Sequence, residues 1–100
     1  MTIYEESLEI HGFEAQLDKL VEECAEFIVA REHFKQGRIK EKEMLEELVD
    51  VEVVLESVKV KYRWFFDNIQ MTEWDYILSQ KLEKLRKILP DKEIRSFHES

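Results

Sequence analysis

Two glycines and one proline are all the backbone punctuation that 100 residues carry, and a fold built on many tight turns cannot be made from so little. Sandwiches and barrels are therefore excluded, and the chain is expected to run in a few long helices broken at Gly12 and Gly37 and stopped at Pro90. A chain of this length supplies one hydrophobic core. Residues 1–100 are accordingly read as a single all-α domain, with 1–11 a lead-in helix and 91–100 a tail that frays.

The side-chain pattern agrees. Thr2 with Glu5 has the form of a capping box, and places a short first helix up to about Ile10. From Phe13, the residues Leu17, Leu20, Val21, Cys24 and Ile28 recur at steps of three and four, which predicts one apolar face on a helix ending near Gly37. Apolar residues resume at Met44, Leu45, Leu48, Val51, Leu55, Val58, Tyr62 and Phe66. Val49, Val53, Val54 and Val60 fall outside that stripe, so this helix is expected to be buried around most of its circumference. The β-branched run could be read as a strand, but the helical period continues on both sides of it. Thr72 followed by Asp75 is a second capping signature, and Trp74, Ile77, Leu78, Leu82, Leu85 and Leu89 define a third long helix. Three long helices, one apolar nearly all round, cannot hide every apolar face in one copy. A helical bundle completed by homo-oligomerisation is expected, as a homodimer or homotetramer with a four-helix-bundle type core.

Composition narrows the function classes. A formal charge of -8 argues against a general nucleic-acid binder, because such proteins displace counterions with a basic face. No run of 18 apolar residues suggests a membrane span, and no apolar leader is present, so a cytoplasmic setting is expected. The single cysteine, Cys24, cannot form an internal disulfide and is read as a core thiol. His11, His33 and His98 are read as ordinary surface residues.

The chemistry-bearing candidates are carboxylates. Glu22, Glu23 and Glu26 stand on the first long helix, and Glu47 and Asp50 on the second, in an EExxE…ExxD pattern. Spacings of three and four put each set on one helix surface, and two such sets can face each other. Mg²⁺ prefers an octahedral oxygen shell shared between carboxylates, waters and substrate phosphates, so facing clusters could hold it, with Mn²⁺ as a substitute. The 18 glutamates also generate such patterns by chance, roughly half an EExxE per shuffle of this composition. Glu5, Glu6 and Glu9 match too. The second triplet is better placed, mid-helix and leading into the Gly37 turn. Glu47 and Asp50 interrupt an otherwise apolar helix, where an unpaired carboxylate is costly. A metal ion or a network of lysines and arginines would relieve that cost.

The block from Gln16 to Phe27, QLDKLVEECAEF, together with Glu46-Glu47-Leu48-Val49-Asp50-Val51, resembles the two metal-binding helices of the all-α nucleoside triphosphate pyrophosphohydrolase superfamily, the MazG-like proteins. Lys81-Leu82-Glu83-Lys84-Leu85-Arg86 is similar to the basic closing helix of many members, including short phage-type ones, and the resemblance covers roughly residues 12 to 90. It implies that Glu23, Glu26, Glu47 and Asp50 are metal ligands and that Glu22 is a ligand, a water-orienting base or an outer residue. The implied reaction is attack of metal-activated water between the α- and β-phosphates of a nucleoside triphosphate, releasing pyrophosphate. Glu22 and Glu23 are then the catalytic candidates, and Lys81, Lys84, Arg86 and Lys19 the candidates to offset phosphate charge. Gln16 is a candidate for hydrogen bonds to the base, and Trp64, Phe65, Phe66, Trp74 and Tyr76 offer rings on which a base could stack. The third long helix departs from the lysine-plus-asparagine pattern of some members.

Two other classes compete. A carboxylate-bridged di-iron bundle wants Glu-x-x-His on its helices, but the residues three before His11, His33 and His98 are Leu8, Ala30 and Arg95. A non-catalytic helical interaction module would use the apolar second helix for assembly and its glutamates as a solvated or ion-paired face.

Overall fold

The computed structural model describes residues 1–64 and 72–90. Among them are four α-helices and no strand: α1 (Ile3–His11), α2 (Phe13–Lys35), α3 (Glu41–Trp64) and α4 (Glu73–Ile88). They belong to two compact units, Met1–Phe65 and Phe66–Ser100. No helix among the described residues is long and apolar enough to cross a membrane. The side chain of Trp64, together with Phe65, Phe66, His98 and the tail 91–100, lies outside the described residues.

In the first unit, local chemistry sets each boundary. The Thr2 hydroxyl accepts from the Glu5 amide at 3.1 Å, and the Glu5 carboxylate accepts from the Thr2 amide at 3.0 Å, so two of the orphan donors at the start of α1 are satisfied. Gly12 follows at φ 86°, a conformation that L side chains resist. The α2 helix closes on Gly37, at φ 73°, with the Gly37 amide donating to the Phe34 carbonyl and the Arg38 amide to the His33 carbonyl. That paired arrangement is a Schellman motif, and it returns the chain within a few residues. The α2 and α3 helices then run side by side, with α1 packed on α3 and more lightly on α2. Their antiparallel register is pinned at the far end, where the Phe13 ring meets Tyr62 edge-on at 5.9 Å between centroids and the Lys61 ammonium lies 3.7 Å from the Phe13 ring centre.

The inward faces differ from those expected. On α2 the buried residues are Gln16, Glu23 and Ala30, and with half-buried Leu20, Phe27 and Phe34 they form a line of 4-3-4-3-4 spacing suited to packing against one neighbour, flanked by half-buried Phe13, Leu17, Cys24 and His33. Val21 and Ile28, expected in the core, are exposed, and Cys24 is only half-buried. The apolar residues of α2 wrap around the helix, so two stripes compete, and the one carrying two polar residues is the one that packs. On α3 the covered line is Met44, Glu47, Val51, Val54 and Val58, with Val60 sealed at 1% exposure. Burial of α3 around most of its circumference holds only for its second half, where no residue from Val54 to Tyr62 is exposed; in its first half Leu45, Leu48, Val49 and Val53 are exposed.

In the second unit, Thr72 caps α4 by accepting from the Asp75 amide at 3.1 Å while its hydroxyl donates to the Asp75 carboxylate at 2.9 Å. Leu78, Leu82, Leu85 and Leu89 share one side of α4 and are exposed.

Candidate metal centre

The 3.6-residue period brings Gln16 and Glu23 onto the packed line of α2, and Glu47 onto that of α3. Polar side chains therefore enter a helix–helix contact otherwise lined by apolar groups. Antiparallel pairing sets Glu23 opposite Glu47 and, one turn along, Asp50. One carboxylate oxygen from each of Glu23, Glu47 and Asp50 lies within 4.8 Å of the others, and the same holds for Glu22, Glu23 and Glu26. Glu23 is common to both groups. Its side chain is 8% exposed, whereas Glu22, Glu26 and Asp50 are open to solvent and Glu47 is half-buried. The reading of Asp50 as a residue enclosed by an apolar helix is thus corrected: it is exposed and sits on the rim, because α1 and α2 leave that side of α3 open.

Two atoms are unsatisfied. Oε2 of Glu23 and Oε2 of Glu47 are both buried, and among the described residues neither has a hydrogen-bond partner. A buried carboxylate oxygen without a partner costs on the order of 1–3 kcal/mol or more, and here there are two, on carboxylates that belong to one group. Crowded negative charge shows in Glu26, whose carboxyl is held above the ordinary value of 4.5, chiefly by the neighbouring charge of Glu23, with smaller contributions from desolvation, the charge of Glu47, a hydrogen bond with the Glu23 side chain and the charge of Glu22. One cation serves the cluster among the described residues. The Lys19 ammonium lies 3.0 Å from Glu23 Oε1 and 3.6 Å from Glu22 Oε1, and these partners raise its pKa, the Glu23 hydrogen bond most.

The donor set is all carboxylate oxygen, drawn from two helices, with open sides at Glu26 and Asp50. Such a set fits a hard divalent cation that keeps water or an external ligand on its remaining positions. It does not fit a softer metal, since neither histidine nor cysteine joins either group.

The other expected residues divide. Gln16, 6% exposed, lines a hollow of about 360 Å³ between α1, α2 and α3, beside His11, Lys19 and Ser57. Ser57, buried on α3, escaped the sequence reading; a lone serine between Glu56 and Val58 was its one visible signal. His11 is exposed at the last turn of α1 and reaches the rim of the same hollow. Lys81 and Lys84 lie along one side of α4 with Lys87, around a shallow depression that Arg86 does not join. Trp74 is half-buried, and Tyr76 is exposed with its hydroxyl accepting from the Gln80 amide at 2.9 Å. Of the competing acidic triplet, Glu5 is engaged in the Thr2 cap, and none of Glu5, Glu6 and Glu9 joins a carboxylate group among the described residues. Neither a family model, nor a curated protein, nor a solved structure matches the chain.

Proposed function

We propose that this chain is a divalent-cation-dependent nucleoside triphosphate pyrophosphohydrolase, cleaving between the α- and β-phosphates to give the nucleoside monophosphate and pyrophosphate. The observation that carries the reading is the pair of buried, unpartnered oxygens of Glu23 and Glu47 within a carboxylate group completed by Asp50. A fold retains such a costly arrangement most simply when a cation completes it. The resemblance of residues 12–90 to MazG-like proteins supplies the reaction class.

In this reading Glu23, Glu47 and Asp50 hold the cation, with Glu26 at its open edge. Bound Mg²⁺ or Mn²⁺ supplies electrophilic stabilisation of phosphate oxygens and acidifies water. Glu22, exposed and one position from Glu23, is placed to accept a proton from a water on the solvent side. Gln16 and Ser57 offer an amide and a hydroxyl to the polar edge of a base, and Lys19 offsets phosphate charge. Exposed Val21 and Ile28 on α2, with Leu45, Leu48, Val49 and Val53 on α3, favour a homo-oligomer, since two helices that each leave large apolar side chains in water gain by covering them.

Those same exposed residues favour a second reading, a non-catalytic assembly module with an ion-paired acidic face. Incubation with Mg²⁺ and a panel of common and damaged ribo- and deoxyribonucleoside triphosphates separates the two. The enzyme releases pyrophosphate and monophosphate, and chelation stops it. Release of orthophosphate, or no turnover on any member with no Mg²⁺-induced rise in Tm, rejects it in favour of the module.

A further inference from the structure

We infer that Lys19 is an internal counter-ion of Glu23 that a divalent cation displaces, and that the released ammonium then serves a polyphosphate group lying between the carboxylates and the adjoining hollow. The inference rests on the cation-binding reading of Glu23, Glu47 and Asp50.

Lys19 stands three residues after Gln16 and four before Glu23, so all three lie along one side of α2. Its ammonium is on Glu23 Oε1 at 3.0 Å, yet it also lines the hollow that contains Gln16 and Ser57. The two partners of the ion pair differ in freedom. Glu23 is 8% exposed and fixed between helices, whereas Lys19 is 48% exposed and carries a flexible stem. When the pair breaks, the lysine is the partner that moves.

The pair is also incomplete. Lys19 reaches one oxygen of Glu23, while the other oxygen and Oε2 of Glu47 remain without partners. A doubly charged ion among these carboxylates satisfies what a single ammonium cannot, and the ammonium beside it becomes a repelled neighbour. Rotation of its stem carries the charge toward the hollow. Coupling between two sites is reciprocal: an anion that holds Lys19 away from Glu23 tightens cation binding, and the cation prepares Lys19 for the anion. Cation first, polyphosphate second is the favoured order.

Calorimetric titration of the full chain tests this with two probes, Mn²⁺ alone and the preformed Mg²⁺–tripolyphosphate complex at saturating free Mg²⁺. Removing a half-exposed charge beside the ion gives K19M about three- to tenfold tighter Mn²⁺ binding, together with weaker binding of the polyphosphate complex. K19R, which keeps the charge, does not tighten Mn²⁺, and K35M, at the far end of α2, leaves both affinities unchanged. A merely structural role for Lys19 would shift both probes in one direction. Unchanged or weakened Mn²⁺ binding in K19M, or equal tightening in K35M, overturns the inference while leaving cation binding intact. Absence of Mn²⁺ binding by the unmodified chain overturns the cation reading itself.

Discussion

Replacing Glu23 with glutamine changes one atom and reverses the sign of its effect with the presence of a cation. Without a cation, the substitution removes the charge of a nine-tenths buried carboxylate whose Oε2 has no hydrogen-bond partner, and it puts an amide donor into the group that Glu47, with its own orphaned Oε2, shares. Relief of an unsatisfied buried acceptor contributes about 1–3 kcal/mol. Against this stands the lost pair with Lys19, half-exposed and so worth about 0–1 kcal/mol. The balance is a gain of about 1 kcal/mol, or a Tm about 4–8 °C higher for a domain of this size. With a cation, the order inverts. The parent chain gains about 2.7 kcal/mol at a free cation concentration of about one hundred times Kd, and E23Q, lacking the shared ligand, gains almost nothing. Differential scanning calorimetry in EDTA and in excess Mg²⁺ gives all four values. A lower Tm for E23Q in EDTA would refute the accounting of the orphaned oxygens, and an undiminished Mg²⁺ response would remove Glu23 from the site.

Three further outcomes follow from the same geometry. Glu47→Gln abolishes turnover and the cation-induced rise in Tm while leaving the helical circular dichroism intact, whereas Glu6→Gln, on exposed α1, changes turnover little; a large loss in E6Q would mean that the other acidic triplet carries the chemistry. Val60→Ala, at 1% exposure, costs about 2–3 kcal/mol in urea denaturation through lost transfer energy and a residual cavity; a cost under about 0.5 kcal/mol would show that this side chain is not enclosed. Because the Glu26 carboxyl is raised in the folded chain, the native state holds its proton more tightly than the unfolded one, so stability is present below the ordinary value and lost as pH rises through the folded one. In EDTA the Tm of the parent chain therefore climbs as pH falls from neutrality toward 4.5, and E26Q flattens that segment of the curve; a parent profile that falls over the same range contradicts the crowding of charge.

Helix boundaries were legible because they depend on local chemistry. Thr2 with Glu5, Thr72 with Asp75, and the glycines at positions 12 and 37 each act on their own few residues, and each marks an end in the structure within a few positions. The facing of α2 was not legible. Val21, Cys24 and Ile28 offered a plausible apolar face, and hydropathy gives no reason to prefer a line containing Gln16 and Glu23. Only pairing with α3 decides between them. The carboxylate set is apparent from spacing alone, but its distribution of burial is not: Asp50 was expected inside and lies at the rim, while Glu23, one of three similar glutamates in the sequence, is the enclosed one. Ser57 and the hollow arise from tertiary packing and have no signature in the order of residues.

Gln16, Glu23 and Ala30 follow one another at intervals of seven along the covered line of α2. Two helical turns set the axial offset of the first two at about 10.5 Å, a length fixed by backbone pitch and indifferent to side-chain choice. The helix is therefore a ruler: the backbone origins of the hollow's amide and of the carboxylate are held at that interval, and a ligand touching both must match it less the reach of the two side chains. Point substitutions retune the grip at either mark, whereas inserting or deleting a residue between them would swing one mark off the line and destroy the scale.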